Sequence, residues 1–380
     1  MRFVLALGLV LAVGLSPCSA EGGKSGRHAK APFSHAAERA RANENLLMLL
    51  GGALGGPWLQ MAQEIAVTVS DGDDLRVLPI AGEGSRQNLR DVLLVQGVDL
   101  GITRLEVLNG VKASGELGPN LDRRVAYIAA LAVDMLQVLA RSDVASLRDL
   151  NGKKVNVFPK GSVVPVVLKT LGVEIEEVNV TLADAIEQIR TGKLQATACF
   201  CSVPIPIYRN LGADSGFKLL GVPYAQALEE SYLPASLTSD TYPNLVAPGA
   251  KVETVGSNVV LVSYNWAPGT ERYRKIEKFV NAFFSNFEKL QQPSRHPSWR
   301  SVNPAASIRG WQRFPAAKQW LDRRAAAAAA GAKAGGRSGA PAIDPVLARA
   351  QAAKAAGGDP AVQERLFKEF LEWSRTKGKR

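Results

Sequence analysis

Three glycine-rich turns, each running into a helix-forming stretch, carry the residues best suited to hold an anion. Gly51-Gly52-Ala53-Leu54-Gly55-Gly56-Pro57-Trp58 leads into Leu59 to Ala66, Ala81-Gly82-Glu83-Gly84-Ser85 into Arg86 to Gln96, and Pro159-Lys160-Gly161-Ser162 into Val163 to Leu171. A helix start presents N–H groups with no partner inside the helix and the positive end of the helix dipole, to which Ser85 and Ser162 add hydroxyls. Arg104 follows the apolar run Val98-Asp99-Leu100-Gly101-Ile102. A guanidinium there would grip a carboxylate through two parallel hydrogen bonds. Glu83 pulls the other way, toward an ammonium, and an amino acid carries both groups. The competing reading makes each glycine turn a tight connection, and Arg104, Arg86 and Lys160 solvated surface cations.

Other chemistries lack their residues. No glycine turn is followed by the Lys and Ser or Thr of a phosphate loop, and none has the G-x-G-x-x-G spacing of a dinucleotide site. His28, His35 and His296 all fall outside the stretch from Asn45 to Asn286, so Ser85 and Ser162 have no visible base. An enzyme is not expected, nor a cofactor, nor a metal. Cys199 and Cys201 share one face of an extended segment, and neighbours so spaced rarely meet disulfide geometry. They are expected to be buried small apolar residues.

The formal charge is +11, but from Ala325 to Arg380 there are ten Lys or Arg against five Asp or Glu, so about half of the excess sits in the tail. No basic stripe interleaved with aromatics runs through the main body, and nucleic acid is not an expected partner. Mild general basicity favours an anionic solute through the field in a cleft.

The elements that must position these residues follow from the pattern along the chain. Arg2, the apolar run Phe3 to Leu15 and the small-residue stretch ending at Ala20 make residues 1–20 a secretory signal, cleaved after Ala20. A periplasmic location is expected, with lipid attachment at Cys18 disfavoured by Pro17. Residues 21–44 read as a flexible leader. From Asn45 to Asn286, short apolar runs alternate with helical-period stretches such as Ser85 to Gln96 and Ala183 to Thr191, the signature of helices packed on parallel sheets. Two longer strands, Ala132 to Ala140 and Ser257 to Tyr264, read as crossovers between lobes, with lobe 1 at 45–138 plus 252–290 and lobe 2 at 139–251. Residues 291–324, with Trp299, Trp311 and Trp320, are expected to cover the body. Residues 325–358 read as an Ala/Gly-rich linker. An amphipathic helix is expected over 359–376, with Asp359 as N-cap and Pro360 at its first position.

Taken in order, Gly55-Gly56-Pro57-Trp58, Gly84-Ser85-Arg86-Gln87-Asn88-Leu89, Val98-Asp99-Leu100-Gly101-Ile102, Leu147 to Val155, Gly161-Ser162 and Thr241-Tyr242-Pro243 resemble the TAXI class of TRAP-transporter solute-binding proteins. The resemblance spans about Leu46 to Phe287. It implies a two-lobed periplasmic-binding-protein type II fold, an α/β architecture whose lobes are joined by two crossover strands. It also implies capture of a glutamate-like or other organic anion, and delivery to TRAP-type membrane permease subunits. The site residues implied are Gly55, Gly56, Trp58, Ser85, Asn88, Thr103, Gly161 and Ser162, to which the residue-level reading adds Gly84 and Arg104. Pro57-Trp58 replaces the family's usual pair of tyrosines, Arg104 stands where a small or polar residue is usual, and Val163-Val164 replaces a glycine-threonine pair. Solute identity is therefore not carried over. A monomer is expected, and the alternative function is a solute-sensing receptor or scaffold that regulates a membrane partner without transport.

Overall fold

The structure, a computed structural model, describes residues 34–334 except Asp73, together with residues 364, 365, 367 and 368. The signal segment 1–20, residues 21–33 of the leader, residues 335–358 of the linker and most of the helix expected over 359–376 lie outside the described residues. The end of the leader is helical rather than irregular: α1 (His35–Glu44) buries none of its residues.

The first half of the body alternates strand and helix through β1 (Leu46–Leu50), α2 (Pro57–Val69), β2 (Arg76–Ile80), α3 (Ser85–Leu94), β3 (Val98–Arg104) and α4 (Leu105–Ser114). Helix α2 starts because Pro57 suits a first turn, and it docks because Trp58, Met61, Ala62, Ile65, Ala66 and Val69 recur at helical spacing on its buried side. A short α5 (Leu121–Arg124) then feeds β4 (Val125–Arg141), and lobe 2 follows as β5 (Lys154–Phe158), α6 (Val164–Thr170), β6 (Glu176–Val178), α7 (Leu182–Arg190), β7 (Ala196–Cys201), α8 (Pro206–Arg209), β8 (Phe217–Leu220) and β9 (Leu233–Thr238). The chain returns along β10 (Lys251–Tyr264) and closes with α9 (Glu271–Ser285), α10 (Phe287–Leu290) and α11 (Pro315–Ala334).

The strands form one sheet in the order β2-β1-β3-β10-β4-β7-β5-β6, with β8 added to β4 and β9 to β10. Strand β1 is parallel to β2 and β3, and β5 is parallel to β6 and β7. Strands β4 and β10 run antiparallel through the middle, with Val259 opposite Ala132 and Gly256 opposite Met135. A strand of 17 residues such as β4 extends roughly 55 Å, too far for one core. Accordingly the buried apolar residues divide along it. Ile128, Ala129, Leu131, Ala132 and Val259 pack with β1–β3, α2 and α9, whereas Leu136, Val138, Ala140 and Val255 pack with β5, β7 and α6. The result is a two-lobed α/β fold in which both crossover strands belong to both lobes.

The segment after α10 covers lobe 1. Trp299 is fully buried, and its indole N–H donates to Glu64 at 2.6 Å. The Arg313 guanidinium donates to the carbonyls of Ile128, Pro304, Ala305 and Ala306 and lies 4.6 Å from the Tyr127 ring centre. Two expectations are corrected here. Residues 325–334, read as linker, continue α11 as helix, because an alanine run has the highest helix propensity of any sequence. Cys199 and Cys201, read as unbridged, are joined in a disulfide with Cα atoms 5.6 Å apart, a separation within the usual range once the two side chains leave the same face of β7.

Candidate functional site

The end of β3 is where lobe 1 prepares its face toward the second lobe. Gly84, at φ 137°, lies in the backbone region that glycine reaches without penalty, and it turns the chain into α3. The turn brings Ser85 against β3, where its hydroxyl lies 2.7 Å from the Thr103 hydroxyl and accepts the Arg104 backbone N–H at 2.7 Å. Thr103 in turn donates to the Ser85 carbonyl at 3.0 Å. Asn88, one turn further, donates to the carbonyls of Gly51 and Ile102 and so ties the first two glycine turns to β3. Its approach needs a glycine at position 82, because a Cβ there would fall 2.2 Å from the Asn88 Oδ1. Of the expected site residues, Ser85, Asn88, Thr103 and Arg104 are thus brought together as one hydrogen-bonded unit.

Arg104 points from that unit into the junction between lobes, with only 9% of its side chain exposed. Its Nε lies 2.8 Å from Glu106 Oε1, and one Nη donates to the Phe200 carbonyl of β7 at 3.2 Å. The guanidinium carbon is 5.5 Å from the centre of the Trp58 ring and 5.7 Å from that of Phe200, both within cation–π range. Trp58 therefore joins the cluster, and Tyr232 extends it by stacking on Phe200 at 5.4 Å between ring centres.

Both crossover strands contribute a polar group. Ser257 of β10 donates its hydroxyl to Glu106, and Asp134 of β4 accepts the Ser202 hydroxyl at 2.7 Å. Burial pushes the Asp134 carboxyl up to about 6, against the pull of Arg104 in the opposite direction, and the nearby Glu106 adds to the rise. Burial likewise pushes the Tyr232 hydroxyl upward. With Asp134 ionised, the junction holds one buried cation and two buried carboxylates.

The remaining expected residues stand apart from this cluster. Gly55 and Gly56 form an exposed to half-buried turn before α2. Gly161 and Ser162 lie on lobe 2 after β5, where Ser162 bonds locally: its N–H donates to the Pro159 carbonyl at 3.1 Å, and its hydroxyl accepts the Val164 N–H at 3.4 Å. Glu106, Asp134, Phe200, Ser202, Tyr232 and Ser257 were not among the expected residues. Asp134 carried a readable signal, being the one carboxylate in the apolar run Val125 to Ala140. A charge there must have a partner when the strand is buried.

The cluster has the makings of recognition: a fixed cation, two carboxylates and three aromatic rings at the junction between the lobes. His296 lies elsewhere, its backbone N–H held by Glu64 at 3.0 Å. Among the described residues no group of His, Cys, Asp and Glu could hold a metal ion, and no helix is long and apolar enough to cross a membrane. A separate groove of about 620 Å³ on lobe 2 is lined by Pro223, Tyr224, Pro234, Lys251 and Glu253 among others, and by none of the expected site residues.

No curated protein is matched by the sequence. Similar solved structures include a TctC solute-binding protein from Polaromonas, 13% identical, with a TM-score of 0.40 and coverage of 67% of this chain and 86% of that one. They also include the alkanesulfonate-binding protein SsuA from Xanthomonas axonopodis pv. citri bound to MOPS, 16% identical, TM-score 0.36, covering 85% and 83%. A third is the periplasmic VFT2 domain of BvgS from Bordetella pertussis, 10% identical, TM-score 0.37, covering 68% and 96%. The sequence itself matches the NMT1-like family across residues 49–315, the stretch holding both lobes and the whole Arg104 cluster, and the chain belongs to that family.

Proposed function

We propose that this chain is an extracytoplasmic solute-binding protein that captures a small organic acid or amino acid between its lobes and presents it to a TRAP-type membrane permease. The observation that carries the reading is the Arg104–Glu106–Asp134 cluster, buried where two lobes meet on shared strands. Hinged lobes of this kind close around what they bind. A cation beside carboxylates suits a solute bearing both signs, which favours an amino acid over a simple dicarboxylate. The ordered motifs from Gly55 to Pro243 support the TAXI class within the broader family, and with it periplasmic export by the amino-terminal signal. On this reading Gly55, Gly56, Gly161 and Ser162 supply backbone donors at the cleft mouth, and Trp58, Gly84, Ser85, Asn88, Thr103 and Arg104 build its lobe 1 wall.

Titration calorimetry of the purified protein against amino acids, keto acids and dicarboxylates tests this reading. Saturable heat with at least one of them is expected. Absence of heat and of any thermal shift across the panel would end it. A second reading, a sensor or scaffold that regulates a membrane partner, draws support from the fact that Arg104 is already engaged by residues of both lobes. Loss of growth on the bound solute after gene deletion supports transport; unchanged uptake with altered signalling supports the sensor.

A further inference from the structure

The cluster at the lobe junction has the contact pattern of a bound ligand, except that the ligand belongs to the chain. A solute that closes a hinged protein touches both lobes at once and loses those contacts when they part. The Arg104 guanidinium does so. From lobe 1 it takes the Trp58 ring and the Glu106 carboxylate, and from lobe 2 the Phe200 carbonyl and ring. A carboxylate and a carbonyl flanked by aromatic faces make the environment that selects a planar, delocalised cation over a compact ammonium.

We propose that Trp58, Glu106 and Phe200 form a guanidinium site that Arg104 fills in cis, so that this side chain acts as a tethered ligand holding the two lobes together. The inference rests on the cleft reading only in using the same junction; it requires no external solute. It gives Arg104 a role in the solute-free protein in addition to lining the cleft, since the groups that face it there are negative or aromatic. A second bridge lies nearby: Asn109 of α4 donates to the Glu230 carbonyl at 3.1 Å and to the Ser231 hydroxyl at 2.9 Å. It adds to closure without reproducing the cage.

Emptying the cage and refilling it tests the proposal. Small-angle scattering and thermal melting, with no solute added, would compare the wild-type protein with Arg104→Ala. The variant is expected to show a larger radius of gyration and a melting temperature lower by several degrees. Millimolar ethylguanidinium should reverse both changes in the variant and leave the wild type unaltered, whereas equal ethylammonium should do neither. An Arg104→Ala protein as compact as wild type, or one equally indifferent to both cations, overturns the proposal. If that variant fails to fold, Phe200→Leu serves instead: it keeps the arginine, removes one wall, and should also expand, while unchanged dimensions count against the cage. The readouts are independent of the solute panel. A silent panel with guanidinium rescue would remove the transport reading and leave this one standing, and the reverse result would do the opposite.

Discussion

Arg104 and Phe200, 96 residues apart in sequence, are joined by a hydrogen bond of 3.2 Å from guanidinium to carbonyl and by a ring contact of 5.7 Å. The pairing exists because β4 and β10 are long enough to carry two cores, so that the end of β3 on one side and the end of β7 on the other face each other across the same pair of strands. Each end delivers its residue by local means. On one side Ser85 fixes the Arg104 backbone. On the other, the Cys199–Cys201 bridge brackets Phe200, and Gln137 of β4 donates to the Cys201 carbonyl at 3.1 Å.

The Arg104–Glu106 pair is 2.8 Å long and nearly excluded from solvent, so removing one member leaves an uncompensated buried charge. Arg104→Ala is expected to cost about 3–5 kcal/mol of folding stability, the usual penalty for breaking such a pair. Replacing both members by neutral groups of similar volume, Arg104→Met with Glu106→Gln, should recover most of that loss. Urea unfolding of Arg104→Met, Glu106→Gln and the double closes the cycle. A double variant no more stable than the worse single would show that the partners do not answer to each other.

Asp134 sets a pH dependence whose sign follows from its environment. Its carboxyl is raised from the ordinary 3.8 to about 6 by burial, so the folded protein holds this proton more tightly than the unfolded chain does. The associated stability is fully present below about 4 and is lost as pH rises through about 6. Asp134→Asn keeps an acceptor for Ser202 and removes the titration. Relative to wild type the variant should therefore gain stability between pH 4 and 7, measured as the difference in melting temperature across that range. A constant difference would mean that Asp134 does not titrate there.

Much of the frame was readable from the residues alone, because burial on both faces leaves an apolar run and amphipathic packing leaves a period. Val98 to Ile102 became β3, Ala183 to Thr191 became α7, and the two long runs became the crossover strands β4 and β10. Ser85, Asn88, Thr103 and Arg104 were legible as neighbours since one turn and one strand end supply them all. Phe200 and Ser257 were not, since each reaches the junction only through long-range pairing of β10 with β3 and of β4 with β7. Alanines 325–330 misled for another reason: the same composition serves a linker or a helix, and packing of α11 against α9 begins upstream, where Trp320 stacks on Phe284 at 5.0 Å.

The Cys199–Cys201 bridge closes a loop of only three residues, so the unfolded chain loses little freedom by it. On the chain-entropy relation, a loop so short is worth about 1.5 kcal/mol. Reduction with dithiothreitol should lower the unfolding free energy measured in urea by no more than that, while making both thiols available to alkylation in the unfolded state. A loss several times larger would show that the bridge acts through the native placement of Phe200 instead, a result that Cys199→Ser with Cys201→Ser would reproduce.

Ser85 and Ser162 stood equal in the sequence, each a hydroxyl at the end of a glycine turn, and the structure separates them. Ser85 is buried, and its hydroxyl is engaged by Thr103 and the Arg104 N–H. Its removal leaves a buried backbone donor without a partner, so Ser85→Ala should cost about 1–3 kcal/mol of stability. Ser162 is half-buried in a turn whose hydroxyl makes one long local contact at 3.4 Å, so Ser162→Ala should leave the unfolding free energy from urea titration within about 0.5 kcal/mol of wild type. If the proposed cleft takes its solute between lobes, the order reverses for binding. Ser162→Ala should then weaken the solute found by calorimetry by about 1–3 kcal/mol through loss of a direct donor, a loss that no change in stability accompanies. Equal affinity in Ser162→Ala and wild type would withdraw the lobe 2 turn from the site and leave recognition to the Arg104 side alone.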